Sequence, residues 1–177
     1  MRFLHRRQGL LDAVVFSGGE PTLQDGLAFA LSEVRGLGFA TGLHTGGIYP
    51  SRLEELWPLL SWVGMDIKSG FADYDRVTRT PGSGKKARVS AKLLLESGVP
   101  HEFRTTVHPL IHTQDTLLRL TEELCALGVR HYVLQEFRPQ GCVDGQFLTL
   151  HSSHKLLDEM FLERISQMFD TFSVRRA

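Results

Sequence analysis

Gly18, Gly19 and Glu20 form the stretch of this sequence that is best suited to bind a ligand. They follow a short β-branched apolar run, Ala13–Phe16, which predicts a buried parallel strand. The glycines carry no Cβ, so a ligand can approach the main chain closely there. Glu20 adds a carboxylate, and Pro21 ends the strand because it has no N–H to donate. This combination suits a small ligand that carries an ammonium group. An ordinary strand–helix turn, with Glu20 placed by the helix dipole, is the alternative.

Composition limits the classes of protein that need to be considered. The chain has 177 residues, enough for one domain with a hydrophobic core, and we expect a single domain over residues 1–177. Twenty basic and twenty acidic residues give a net charge of zero, which offers no electrostatic case for a nucleic-acid or acidic-membrane partner. No apolar run is long enough to span a membrane. Two cysteines make no disulfide framework, so we expect a cytoplasmic location.

Apolar periodicity predicts strands that alternate with helices. Strands are expected near residues 12–16, 39–45, 62–68, 101–107 and 131–137. Helices are expected near residues 24–35, 51–60, 85–97, 113–127 and 153–169, with a short one near 73–77 and a loop over 138–150. This alternation implies βαβ crossovers and a parallel sheet, so the fold class is α/β.

Polar groups cluster at the carboxyl ends of the predicted strands, where βα folds bind their ligands. After Glu20 on the first strand, the later strands supply Thr45, then Asp66 and Lys68, then Arg104, and last Gln135. The charged groups could instead pair with one another, since an unpaired buried charge is costly. We expect Glu20, Asp66, Lys68 and Arg104 to converge on one pocket.

Five motifs in succession are similar to those of the glycyl-radical-enzyme activases, a branch of the radical S-adenosylmethionine (SAM) enzymes. The similarity covers roughly residues 10 to 140 and implies a partial (β/α) barrel with parallel strands. The motifs are Ser17-Gly-Gly-Glu-Pro-Thr22, His44-Thr-Gly-Gly47, Met65-Asp-Ile-Lys68, Arg104-Thr-Thr-Val107 and Gln135-Glu-Phe-Arg-Pro139.

The resemblance implies that SAM is the cofactor and gives each motif a part in binding it. A methionine zwitterion needs an anion for its ammonium group and a cation for its carboxylate. The amino group would be held by Gly18, Gly19 and Glu20, with Pro21 completing this cofactor-binding motif, and the carboxylate by Lys68. Asp66 and Thr45 would line the other side of the amino group or a monovalent cation beside it. Arg104 would contact a carboxylate or the ribose, and Gln135 would lie along the adenosyl pocket.

The family's reaction also uses a 4Fe–4S cluster, which three cysteines of a Cys-x3-Cys-x2-Cys motif hold. The cluster reduces the sulfonium, the S–C5′ bond breaks, and a 5′-deoxyadenosyl radical abstracts hydrogen. Cys125, expected as a buried residue on a helix, and Cys142, expected in a loop, do not make this motif. We therefore expect a truncated form without the first strand and the cluster loop, and we assign no catalytic or metal-binding residue.

The resemblance implies a glycyl-radical enzyme as the partner, such as an anaerobic ribonucleotide reductase, and flavodoxin or ferredoxin as the electron donor. Two other functions remain open. One is a non-catalytic module that binds SAM, a nucleotide or a partner protein. The other is a metal-dependent hydrolase that uses histidines together with Asp66, although Pro109 between His108 and His112 argues against a helical metal pair.

Overall fold

The computed structural model describes residues 2–149 and 156–177. Helices and strands alternate along most of the chain, as the sequence predicts. The strands are β1 Ala13–Phe16, β2 Ala40–Thr45, β3 Trp62–Asp66, β4 His101–Val107, β5 His131–Glu136 and β6 Thr171–Arg175. The helices are α1 Arg2–His5, α2 Leu27–Gly36, α3 Pro50–Glu54, α4 Tyr74–Thr78, α5 Ser83–Glu96, α6 Gln114–Leu127, α7 Gly145–Thr149 and α8 Glu159–Ser166.

The contacts of the chain divide it into two compact units. Unit 1 runs up to Met65 and includes Lys86–His101, and unit 2 comprises Asp66–Lys85 and Glu102–Ala177. The single domain over residues 1–177 stays a prediction.

Unit 1 contains three parallel strands in the order β1–β2–β3. Ala13 pairs with Ala40 at the start of β1, and Thr45 pairs with Met65 at the end of β2. Leu31, on the apolar stripe of α2, and Leu43 of β2 are fully buried. Because the strands are parallel, the residues that follow β1 lie at the same edge as the end of β2.

Unit 2 contains the parallel strands β4, β5 and β6. The register runs from Phe103 opposite Tyr132, and Gln135 of β5 lies opposite Arg175 of β6. Within this unit the amide of Ile67, just beyond β3, donates to the carbonyl of Arg104 at 2.7 Å. The predicted parallel pairing is therefore confirmed within both units.

Helix α6 begins as the sequence predicts. Thr113 accepts a hydrogen bond from the amide of Thr116 and donates its own amide to the Thr116 hydroxyl, which forms a reciprocal cap. Gly128 ends the helix with φ of 95°, a conformation that glycine adopts without a Cβ penalty. The stripe Leu117, Leu120 and Leu124 is buried.

The C-terminal region differs from the prediction. The helix expected near 153–169 is α8, and Asp158 caps it by accepting from the amide of Phe161 at 2.9 Å. Strand β6 was not predicted, although Phe172 and Val174 alternate with polar residues as in a half-buried strand. The expected loop over 138–150 contains α7, and β3 ends two residues before Lys68.

Within the residues that the structure describes, no helix combines the length and the apolar character needed to cross a membrane.

Candidate functional site

The two glycines after β1 adopt left-handed backbone conformations. Gly18 has φ of 99° and Gly19 has φ of 55°, and a Cβ built on either would meet no atom within 4 Å. Glycine is therefore favoured here by conformation and not by crowding. The main chain at this strand end is open to an approaching ligand.

The carboxylate of Glu20 is held by uncharged donors. Oε1 accepts from the hydroxyls of Thr22 at 2.5 Å and Thr45 at 2.7 Å, and Oε2 accepts from the amide of Gly46 at 2.8 Å. No basic group of residues 2–149 or 156–177 forms an ion pair with Glu20. A fixed, partly buried carboxylate without a cation is a suitable partner for an ammonium group.

The loop after β2 is fixed from the side of helix α5. Ser90, fully buried on α5, donates to the carbonyl of Gly47 at 2.6 Å. The amide of Gly47 donates to the Thr45 hydroxyl at 3.0 Å, and that hydroxyl in turn donates to Glu20. A Cβ on Gly47 would collide with Met65 and Ser90. A continuous hydrogen-bonded chain therefore runs from α5 to the Glu20 carboxylate.

Sequence reasoning did not identify Ser90 as a site residue. The available signal was a serine between Ala87 and Ala91 on the apolar face of α5. A buried hydroxyl needs a hydrogen-bond partner, so its position on that face points to a carbonyl nearby.

Pro21 begins a single 3-10 turn, Pro21–Leu23, and is buried. Because it has no N–H, it leaves no unpaired donor beside the Glu20 carboxylate.

In unit 2, Asp66 is bound by two cations. Its Oδ1 accepts from Arg104 Nε at 2.9 Å and Nη2 at 2.8 Å, and its Oδ2 lies 3.4 Å from Lys68 Nζ. The Arg104 side chain is 6% exposed, whereas that of Lys68 is 43% exposed. The three residues together carry one net positive charge, and Lys68 presents it to solvent. This cluster is suited to bind a carboxylate.

Gln135 lines a cavity of about 320 Å³ together with Thr106 and Arg175. Its amide nitrogen donates to the Thr106 hydroxyl and its oxygen accepts from Arg175, both at 3.4 Å. Arg175 also pairs with Glu102 at 2.8 Å. Sequence reasoning missed Arg175 because strand β6 was not predicted.

The predicted site residues thus fall into three groups. Unit 1 brings Gly18, Gly19, Glu20, Pro21 and Thr45 together. Unit 2 joins Asp66, Lys68 and Arg104, and it bonds Gln135 to Thr106 and Arg175. Their convergence on one pocket stays a prediction.

Both ring nitrogens of His108 and of His112, two histidines that a metal-dependent hydrolase could use, are bonded to main-chain atoms. His108 Nδ1 accepts from the amide of Leu110, and its Nε2 lies 3.1 Å from the carbonyl of Phe147. His112 Nδ1 accepts from the amide of His108, and its Nε2 lies 3.0 Å from the carbonyl of Lys68. Among the described parts of the chain, no group of three or more His, Cys, Asp or Glu could hold a metal ion. His151 and His154 lie outside the described residues.

The expected burial of Cys125 is wrong, because its side chain is exposed and lies 3.5 Å from the carbonyl of Met168. One residue further along a helix turns the side chain by about 100°, which carries Cys125 off the face that buries Leu124. Cys142 lies in the segment between β5 and α7.

Several solved structures share this fold. A domain of pyruvate-formate lyase-activating enzyme from Bacteroides vulgatus has a TM-score of 0.69 at 14% identity, over 92% of this chain and 98% of that one. SuiB from Streptococcus suis bound to S-adenosylmethionine has a TM-score of 0.70 at 14% identity, over 99% of this chain and 42% of that one. These likenesses confirm the predicted α/β fold, a partial barrel of the radical SAM type.

A relative in Methanocaldococcus jannaschii is provisionally named as a glycyl-radical enzyme activating enzyme. It is 28% identical over 148 residues, which are 78% of this chain and 60% of the relative. The chain therefore spans about 60% of the length of that relative. The model of the Radical SAM superfamily matches residues 1–123, so this chain belongs to that superfamily.

Proposed function

We propose that this chain binds SAM as part of a glycyl-radical enzyme activating enzyme. The observation that carries the proposal is the Glu20 carboxylate, which uncharged donors fix in place without a cation. Membership of the radical SAM superfamily and the name of the M. jannaschii relative support it.

The resemblance to the activases assigns a negative and a positive side chain to the methionine part of SAM. In unit 1, Glu20 binds the ammonium group beside the open main chain of Gly18 and Gly19, and Thr45 orients Glu20. In unit 2, Lys68 binds the carboxylate, because its ammonium group is the exposed charge of its cluster. Charge-assisted hydrogen bonds of this kind are roughly twice as strong as neutral ones.

The remaining predicted residues take supporting parts in the proposal. Asp66 and Arg104 are bound to each other, so they orient Lys68 instead of meeting the amino group or the ribose. Gln135, with Phe137 beside it in the cavity, contacts the adenosyl part of SAM.

The two cysteines of this chain do not fit a 4Fe–4S cluster, which needs more thiolates than Cys125 and Cys142 supply. In this family the sulfonium of bound SAM is the source of the radical. The residues of this chain bind and orient SAM in the proposal, and no electron-transfer step is assigned to them.

The proposed partner is a glycyl-radical enzyme, with an anaerobic ribonucleotide reductase as one candidate and flavodoxin or ferredoxin as the electron donor. A second candidate function is a non-catalytic SAM-binding module, which the cysteine count favours. Titration of the SAM-loaded chain with an anaerobic ribonucleotide reductase separates the two functions. Saturable binding would support the activating enzyme, and no binding would support the module.

Calorimetric titration of the chain with SAM and with 5′-methylthioadenosine tests the proposal, because the second compound lacks the amino acid. We expect Glu20→Gln to weaken SAM binding by about tenfold or more. Binding of 5′-methylthioadenosine should not change. The control is Glu33→Gln, which alters an exposed glutamate of α2 and should leave both affinities unchanged. A wild-type chain that binds no SAM, or a Glu20→Gln variant that binds it normally, would contradict the proposal.

A further inference from the structure

Two buried side chains hold both main-chain polar groups of Lys68. Its amide donates to the hydroxyl of Tyr74 at 3.2 Å, and its carbonyl lies 3.0 Å from His112 Nε2. The Tyr74 hydroxyl also donates to the carbonyl of Asp66 at 3.3 Å. Tyr74 is 1% exposed and His112 is 2% exposed. We call this pair, Tyr74 and His112, the Lys68 clasp.

The hydrogen bonds of His112 fix its tautomer. Its Nδ1 accepts from the amide of His108 at 3.2 Å, so the hydrogen of the neutral ring lies on Nε2 and is donated to the Lys68 carbonyl. Burial lowers the pKa of His112 to about 4, and the ring is neutral at pH 7. The clasp therefore holds Lys68 without adding a second positive charge beside its ammonium group.

The segments that carry the clasp are themselves anchored. The amide of Phe71, just before α4, donates to Glu123 of α6 at 2.8 Å. Asp75 of α4 accepts from the amides of Gly82 and Gly84 at 2.6 and 3.0 Å. His112 directly precedes Thr113, the cap of α6.

The clasp fixes the main chain of Lys68 but leaves its side chain exposed. Tyr74 and His112 bond the amide and the carbonyl, while the Lys68 side chain is 43% exposed. A lysine ammonium lies on a flexible four-carbon stem, and its reach depends on where the main chain is fixed. The clasp fixes the position of the Lys68 main chain, from which the side chain extends. Asp66, whose carboxylate lies 3.4 Å from Nζ, limits the direction of the side chain.

We propose that His112 and Tyr74 are positioning residues that direct the Lys68 ammonium group toward the carboxylate of a bound amino-acid ligand. This inference rests on the proposed function, in which that ligand is the methionine part of SAM. Neither residue touches the ligand, and both act through the main chain of Lys68.

The test uses His112→Leu and Tyr74→Phe, which remove the clasp bonds, and His112→Gln, which keeps a donor and an acceptor. Tyr132→Phe is the matched control, because Tyr132 of β5 is equally buried. We expect Tyr74→Phe, which removes the acceptor of the Lys68 amide, to speed hydrogen exchange of that amide by about tenfold. Both His112→Leu and Tyr74→Phe should weaken SAM binding by about tenfold. Binding of 5′-methylthioadenosine should stay unchanged, and His112→Gln and Tyr132→Phe should resemble the wild type.

Two results would overturn the inference. One is unchanged Lys68 exchange in Tyr74→Phe, and the other is an equal loss of affinity for SAM and 5′-methylthioadenosine, which indicates general structural damage. If His112→Leu does not fold, Tyr74→Phe decides alone, since it removes only one oxygen.

A failure of the proposed function is distinguishable from a failure of the clasp. If the wild type binds no SAM, the proposed function fails, and the NMR signal of the Lys68 Cε decides the clasp. The clasp stands if Tyr74→Phe shifts that signal and speeds Lys68 exchange, and it falls if neither changes.

Discussion

Two carboxylates near the carboxyl ends of strands, Glu20 and Asp66, have opposite electrostatic surroundings. Glu20 accepts hydrogen bonds only from hydroxyl and amide groups, whereas Asp66 is bound by a guanidinium and an ammonium group. The first carboxylate keeps an uncompensated charge, and the charge of the second is neutralised within its cluster. Its neighbours therefore suit Glu20 to bind a ligand, whereas those of Asp66 suit it to position Lys68.

Arg104→Met tests the positioning role of that ion pair. Removal of the guanidinium leaves Asp66, whose side chain is 27% exposed, without its nearest cation. We expect the free energy of unfolding to fall by about 3 kcal/mol, as for other largely buried pairs that lose one partner. Urea denaturation followed by circular dichroism measures the change.

Arg130→Met is the control for that substitution. The pair of Arg130 with Asp170 is 3.7 Å long, and both side chains are about two-thirds exposed, at 66% and 65%. An exposed pair contributes roughly 0–1 kcal/mol, so this variant should stay close to the wild type. If both variants lost the same free energy of unfolding, the Arg104–Asp66 pair would stabilise the fold no more than an exposed ion pair does.

At the scale of elements, local sequence signals decided which predictions succeeded. Strand β4 and helix α6 have the predicted bounds, because an apolar pattern, the Thr113 cap and Gly128 mark them clearly. Strand β6 was missed because a run of five residues with only two apolar side chains, directly after a predicted amphipathic helix, is a weak strand signal.

The sequence also indicated which residue types lie at the strand ends, but not how they are held. Glu20 and Lys68 stand out as charges after apolar runs. Ser90 and His112 lie 43 and 44 positions from the residues that they bond, and Tyr74 lies on a short helix six positions after Lys68. Periodicity carries no information about such contacts.

Ser90→Ala tests how helix α5 supports the loop after β2. The substitution leaves the buried carbonyl of Gly47 without its donor, which costs about 1–3 kcal/mol of unfolding free energy. It also loosens Gly47, whose amide bonds the Thr45 hydroxyl that holds Glu20. SAM binding should therefore weaken more than 5′-methylthioadenosine binding.

Thermal denaturation and calorimetric titration measure the two effects of Ser90→Ala. Ser51→Ala is the control, because Ser51 is an exposed serine of α3. Normal stability together with normal SAM affinity in Ser90→Ala would show that α5 does not position Glu20.

At the scale of the whole molecule, the buried neutral ring of His112 makes unfolding depend on pH. Its pKa is lowered from 6.5 to about 4, chiefly because burial disfavours the charged ring. Between these values the unfolded chain binds a proton that the folded chain does not, so acidification destabilises the fold. Asp75 and Asp158 act at lower pH, because hydrogen bonds from main-chain amides lower the pKa of each carboxyl below 3.8.

His112→Gln removes this titration while it keeps a neutral donor and acceptor. Between pH 7 and pH 5 we expect the wild type to lose about 2 kcal/mol more unfolding free energy than the variant. This value follows because each pH unit below 6.5 costs about 1.36 kcal/mol. Urea denaturation of both proteins at the two pH values measures the difference, in which the titration of every other group cancels. The stabilising contribution is complete above pH 6.5 and is lost as the pH falls toward 4, so the two curves must separate on the acid side. Parallel curves from pH 7 to pH 5 would mean that His112 takes up its proton in the folded chain as readily as in the unfolded one. The clasp would then carry a positive charge beside Lys68 at mildly acidic pH, contrary to the geometry that its tautomer requires.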